Sequence, residues 1–184
     1  VDVFLRQGEK AYLEIQADND VIERVITKVE ENVLSISLKK QSGSRKGSRV
    51  TVFIIAPKLT NIETKGSGNL TGDGLWNSQD MNINTKGSGN CSFSVNGEKL
   101  NIVSRGSGSL RLTGSIIYQD VQILGSGNYS ASLLQSESAF INISGSGKST
   151  LSVKNELDAK ISGSGSIYYE GSPKLTSQIQ GSGK

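Results

Sequence analysis

The 184-residue chain has no histidine, one cysteine, two prolines, one tryptophan and one methionine, and only 5% of it is aromatic. Without histidine, a Ser-His or Cys-His catalytic pair is excluded. A lone Cys91 excludes an internal disulfide framework, and Cys/His metal clusters are absent with it. The longest apolar run, from Val50 to Pro57, is far short of a membrane span. A net charge of +3 is too mild a bias to identify a partner. Scarce proline beside 22 glycines fits tight coils better than a disordered chain.

What is abundant is one phrase. Gly-Ser-Gly begins at residues 66, 87, 106, 125, 145, 163 and 181, at spacings of 21, 19, 19, 20, 18 and 18. A period in this range marks a repeat architecture. Aligned on the first glycine, apolar residues keep one parity on both sides. Ile62, Ile83, Ile102, Val121 and Ile141 precede the phrase; Leu70, Cys91, Leu110 and Tyr129 follow it. The other parity is mostly polar, so the period is two and each segment is a strand with one buried face. Both glycines take the inward parity. Either the chain bends there with positive φ, or the core is too narrow there for a Cβ. In both cases the central serine points outward.

A unit of about 19 residues is too small to fold alone. Burying each apolar side chain contributes roughly 1.5–3 kcal/mol, whereas ordering each residue's backbone costs about 1–2 kcal/mol. Stacking on neighbours supplies the shared core and ladder bonds. The expected fold is therefore all-β, a parallel β-solenoid with coils marked by Gly-Ser-Gly. Parallel crossovers are overwhelmingly right-handed, which favours a right-handed winding. The 18-residue spacings also suit a left-handed β-helix with three hexapeptide faces, although no hexapeptide period is visible. The expected organisation is a single domain over 1–184. Residues 1–62 form irregular coils that close one end, and 63–184 form the repeat coils.

The Gly-Ser-Gly-(Asn/Ser) series, the segment Val52 to Leu59 and the segment Tyr168 to Leu175 resemble the putative auto-transporter adhesins with a head GIN domain, found in secreted proteins of Bacteroides and relatives. The resemblance spans essentially the whole chain. It implies a β-helical fold and an extracytoplasmic location, and it offers no catalytic motif.

Along the chain, Val1 to Ala17 read as two strands around a Gly8-Glu9-Lys10 turn. Asp20 and Glu23 suit the start of a helical turn over Val21 to Val25. Ile26 to Glu30 and Val33 to Lys39 read as strands joined at Glu31-Asn32, Gln41 to Ser48 as a polar loop, and Val50 to Ala56 as a strand buried on both sides. The chain starts inside a strand-like segment, which suggests an upstream segment. It stops just after the seventh phrase, which leaves the last coil uncapped and predicts either self-association through it or a missing C-terminal cap.

Chemistry is sought at several places. Cys91 takes an inward position and reads as a small buried hydrophobe. No calcium-binding Gly-Gly-x-Gly-x-Asp series occurs, and Asp18 and Asp20 read as turn caps. The acids Asp73, Asp80, Glu98, Asp120, Glu137, Glu156 and Asp158 form no obvious row for glycoside hydrolysis. Strand alternation after each phrase rules out a phosphate loop, which needs a helix. No metal or cofactor is expected.

Three surface features remain as candidate ligand contacts. Lys65, Lys86 and Arg105 share one register and should stack, their repulsion relieved either by an anion or by splaying into solvent with Glu63 partly neutralising Lys65. Lys39, Lys40, Arg45, Lys46 and Arg49 form a basic loop without aromatics, which argues against specific nucleic-acid recognition. Ser67, Ser88 and Ser107 begin an outward hydroxyl row, and Asn69 and Asn90 an amide row, in which stacked groups bond from rung to rung. Trp76 lies at a coil corner, where its ring could stack on a sugar. The expected function is a non-enzymatic extracytoplasmic adhesion module that contacts a glycan or another extended polymer. The rivals are a structural protein that assembles through its open end, and a polysaccharide-acting enzyme.

Overall fold

The structure, a computed structural model, describes residues 1–39 and 49–184. In chain order its elements are β1 (Asp2–Gln7), β2 (Tyr12–Ala17), α1 (Asn19–Ile22), β3 (Val25–Glu30), β4 (Val33–Leu38), β5 (Val50–Ala56), β6 (Asn61–Gly66), β7 (Leu70–Asn77) and β8 (Asp80–Gly87). There follow β9 (Cys91–Gly106), β10 (Ser109–Gly125), β11 (Asn128–Gly145), β12 (Lys148–Gly163), β13 (Ser166–Glu170) and β14 (Lys174–Gln180). The chain is a parallel β-solenoid. Each of β9 to β12 is a full coil, running from one Gly-Ser-Gly corner to the next and pairing in parallel with the coils on either side.

The register stacks equivalent residues. Ile62, Ile83, Ile102, Val121, Ile141 and Ala159 form one buried column, and Met81, Leu100, Gln119, Ala139 and Leu157 another. Three polar groups enter this core as a closed network. The Tyr129 hydroxyl donates to Gln119 Oε1 at 2.8 Å, Gln119 Nε2 to Ser136 Oγ at 2.8 Å, and Ser136 Oγ to the Ser152 carbonyl at 2.8 Å. Mutual satisfaction is what permits such burial.

The corners need a glycine at both positions. The first glycine of every phrase has φ between +100° and +135°, a region that favours glycine. The second has no such φ, but from Gly89 onward a Cβ on it would press on the coil before. At Gly108 it would run into the carbonyl of Gly89. From Gly87 onward a Cβ on the first glycine would also run into the first-glycine carbonyl of the preceding phrase, so both readings hold at the first position and the close approach alone at the second.

The N-terminal segment departs from the sequence reading. β1 and β2 do not pair with each other; β5 lies between them, parallel to β1 and antiparallel to β2. The alternation identified both strands but not their partner, which is some 40 residues away in sequence. β1 also pairs with β7, so β1, β5 and β2 carry one wall of the solenoid beyond β6. Their inner side is covered by Val21 of α1 and by Val25 and Ile36 of the β3–β4 hairpin. The single helical turn starts at Asn19, with Asp18 rather than Asp20 at its N-cap and no side-chain cap bond. β5 is only partly buried on its second face. At the other end, β13 and β14 stack on β12. There Tyr169, Leu175 and Ile179 take inward register positions yet are 42%, 45% and 50% exposed.

Candidate functional site

Two walls meet at the Gly-Ser-Gly corner. On the wall before it, the expected basic row is present in register: Lys65, Lys86 and Arg105, continued by Leu124, Ser144, Ser162 and Gln180. The repulsion is relieved within the chain. Glu63 Oε1 lies 3.0 Å from Lys65 Nζ and 4.0 Å from Lys86 Nζ, and Arg105 donates to Asn84 Oδ1 at 3.3 Å. The Lys65 hydrogen bond, and then its charge, hold the Glu63 carboxyl below its usual range. The row thus keeps a net positive field, with its cations exposed.

At the corner itself Ser67, Ser88, Ser107, Ser126, Ser146, Ser164 and Ser182 are all exposed. They do not bond hydroxyl to hydroxyl, as the stacking argument expected. The corner is held instead by backbone: the N–H groups of Ser88, Ser107, Ser126, Ser146 and Ser164 each donate to the first glycine carbonyl of the preceding phrase, all at 3.0 Å. Among the described residues, these hydroxyls make no side-chain bond and remain open to a ligand.

The asparagines behave in the opposite way. Asp2 Oδ1 accepts from Asn69 N at 2.9 Å and Nδ2 at 3.0 Å. Asn69 Oδ1 accepts from Asn90 N and Nδ2 at 3.0 and 3.2 Å, and Asn90 Oδ1 accepts from Ser109 N at 3.2 Å. These amides tie one rung to the next. The backbone bond from Asn69 is the main cause that lowers the Asp2 pKa.

Trp76 is corrected outright. It is 0% exposed and stacks on Phe93 with centroids 5.7 Å apart, so it is core and touches no surface ligand. It lies within β7, in register with the buried Val95, and takes the same inward direction. Cys91 is buried as expected, and burial pushes its thiol up to about 12. Of the basic loop, Lys40, Arg45 and Lys46 lie outside the described residues. Lys39 donates its N–H to the Arg24 carbonyl and accepts from the Arg24 guanidinium at 3.0 Å. Of the acids, Asp120 and Asp158 share a column, two rungs apart with Phe140 between them. No group of three or more His, Cys, Asp or Glu residues suited to a metal occurs among the described residues.

The sequence reading missed the wall after the corner. Its outward column runs Phe53, Phe4, Thr71, Ser92, Arg111, Ser130, Thr150 and Tyr168, with an aromatic residue at each end. Alternation with Val3 and Leu5 already pointed Phe4 outward. The near-continuous apolar run of β5 hid the direction of Phe53.

A family model described as putative auto-transporter adhesin, head GIN domain, matches residues 1–173. No curated protein matches the sequence. Among solved structures, a putative adhesin from Bacteroides fragilis is 27% identical with a TM-score of 0.94, covering 99% of this chain and 85% of that one. A putative lipid binding protein from Parabacteroides distasonis is 28% identical with a TM-score of 0.75, covering 100% and 87%. A putative adhesin from Parabacteroides merdae, 21% identical with a TM-score of 0.73 over 100% and 86%, shares the fold.

Proposed function

The chain belongs to the putative auto-transporter adhesin, head GIN domain family, and on that premise we propose that it is a non-enzymatic, extracytoplasmic module that holds a glycan or similar extended polymer along its Gly-Ser-Gly corner. The observation that carries this reading is the row of exposed serine hydroxyls free of side-chain bonds, set beside the in-register Lys65, Lys86 and Arg105. Rungs about 4.8 Å apart repeat donors and acceptors at one interval, which fits a ligand that itself repeats. Asn69 and Asn90 contribute by fixing the rungs, since their amides are already bonded. Family and neighbour names are those of adhesins or binding proteins, which agrees with a surface module. No described helix is long and apolar enough to cross a membrane.

A lipid ligand, as in the name of the Parabacteroides distasonis relative, is less well served. The depression of about 640 Å³ on the β3–β4 hairpin is lined by Lys28, Glu30, Glu31, Ser35 and, as its one apolar residue, Val33.

The test is binding to a glycan and matrix-polymer array at low and high salt. Salt-resistant binding to a defined sugar set, lost in a Ser88→Gln, Ser107→Gln variant of unchanged melting temperature, is the expected result. Binding only to anionic polymers, and only at low salt, reduces the site to the basic row. No binding at either salt overturns the proposal.

A further inference from the structure

On the wall after the corner, outward positions between the two ends are mostly Ser, Thr, Asn and Lys. At the end formed by β1, β5 and β2, four outward side chains are apolar or aromatic. Phe4 and Phe53 are register partners whose rings stack at 5.3 Å with an interplanar angle of 16°. Ile55 lies beside them and pairs with Tyr12 across the antiparallel β5–β2 ladder. Phe4 is 39% exposed and Tyr12 51%. The inward residues Leu5, Val52 and Ile54 already fill the core side of these strands, so the patch is not core that failed to pack.

The rim of the patch is polar and fixed. Glu14, opposite Phe53 in the ladder, accepts from the Tyr12 hydroxyl on one carboxylate oxygen and from Gln16 Nε2 on the other, both at 2.7 Å. On the other side Arg6 pairs with Asp73 at 2.6 Å. A small apolar platform framed by pre-oriented carboxylates, an amide and a guanidinium matches a pyranose ring. Such a ring has an apolar C–H face and an equatorial belt of hydroxyls that need both donors and acceptors. Two other occupants fit less well. A stable protein partner needs roughly 800 Å² on each side, more than four side chains provide. An acyl chain needs an enclosing apolar cavity, and this patch is an open wall with charges on either side.

We propose that Phe4, Phe53, Ile55 and Tyr12 form a sugar-stacking subsite, and that Glu14, Gln16, Arg6 and Asp73 bond the hydroxyls of the stacked ring. This deepens the glycan reading above and rests on it: the subsite stands at one end of the wall that adjoins the serine corner, and would anchor one residue of the polymer there.

The experiment is calorimetric titration of the full chain with cellohexaose and chitohexaose at high salt, alongside vesicles of anionic phospholipid. Variants are Phe4→Ser, Tyr12→Ser and, on the rim, Glu14→Gln, with melting temperature as the fold control. The expected result is binding of at least one oligosaccharide, weakened about tenfold or more by Phe4→Ser and Tyr12→Ser and several-fold by Glu14→Gln. Because Glu14→Gln leaves the apolar platform intact, it keeps the test valid should Phe4→Ser fold poorly. Wild-type binding that all three well-folded variants retain overturns the subsite and leaves the serine-corner reading standing. Vesicle binding lost on Phe4→Ser assigns the patch to lipid and overturns it. No sugar binding here or on the array overturns both.

Discussion

Cys91 illustrates how position sets chemistry at the scale of one residue. It follows a corner, takes the inward parity, and stacks between Leu70 and Leu110 in a buried column. The thiol is desolvated, so its folded pKa stands at about 12, against about 8.5 in an unfolded chain. The sign follows from proton counting. Between those values the unfolded chain releases the proton and the folded chain keeps it, so stability is whole below about pH 8.5 and falls as pH rises. The slope is about 1.4 kcal/mol per pH unit. From about pH 7 to about pH 10 the folded state should lose roughly 2 kcal/mol through this group. Urea denaturation across that range checks it, with Cys91→Ala as the control. The variant starts lower, from its cavity, but should run flatter with pH. Equal slopes would mean that Cys91 is solvated. Tyr129, also raised by burial, acts in the same direction at still higher pH.

At the scale of the element, the corner is the unit that the sequence announced and the structure explains. The first glycine supplies both a backbone conformation and room for the carbonyl of the coil beneath, whereas the second supplies room alone. These demands predict different penalties. Gly74 also has positive φ, +83°, but nothing stands within 4 Å of a Cβ there. Gly74→Ala should therefore cost only the backbone strain, about 1–2 kcal/mol. Gly108→Ala must push two coils apart at the carbonyl of Gly89, and should cost about 4 kcal/mol or more. Chemical unfolding of the two variants gives the comparison, and similar losses would refute the larger cost assigned to the close approach. This contrast also explains what was legible. Strand parity, phrase register and the stacking of Lys65, Lys86 and Arg105 depend on local alternation repeated at a fixed period, which a single sequence displays. The inward position of Trp76, in register with Val95, follows a shift between Thr71 and Leu75 that lengthens this coil relative to the next. The placement of β5 between β1 and β2, and with it the Phe4–Phe53 patch, depends on a pairing outside the period.

At the scale of the whole molecule, β1 links the N-terminal cap to the repeats. It is hydrogen-bonded to β7 on one side and β5 on the other, so the ladder order runs β7, β1, β5, β2. Asp2 also starts the asparagine ladder by accepting from both Asn69 nitrogens. The inner faces of β5 and β2 are covered by α1 and the β3–β4 hairpin, which among the described residues pack on that overhang and not on the repeat coils. In a stack where each rung binds only its neighbours, losing one rung uncouples what lies beyond it without dissolving what lies behind it. Deleting residues 1–9 should therefore release β5, β2, α1 and the hairpin together, and expose the edge of β7. Hydrogen exchange of the truncated chain should show fast exchange through residues 12–38 and 50–56, with protection kept across β9 to β12. The exposed β7 edge should also promote association, because an unpaired strand recruits another. Retained protection in β5 after the deletion would mean that the cap docks on the repeats by itself. Loss of protection throughout β9 to β12 would mean that the solenoid folds as one cooperative unit and that the nearest-neighbour description fails.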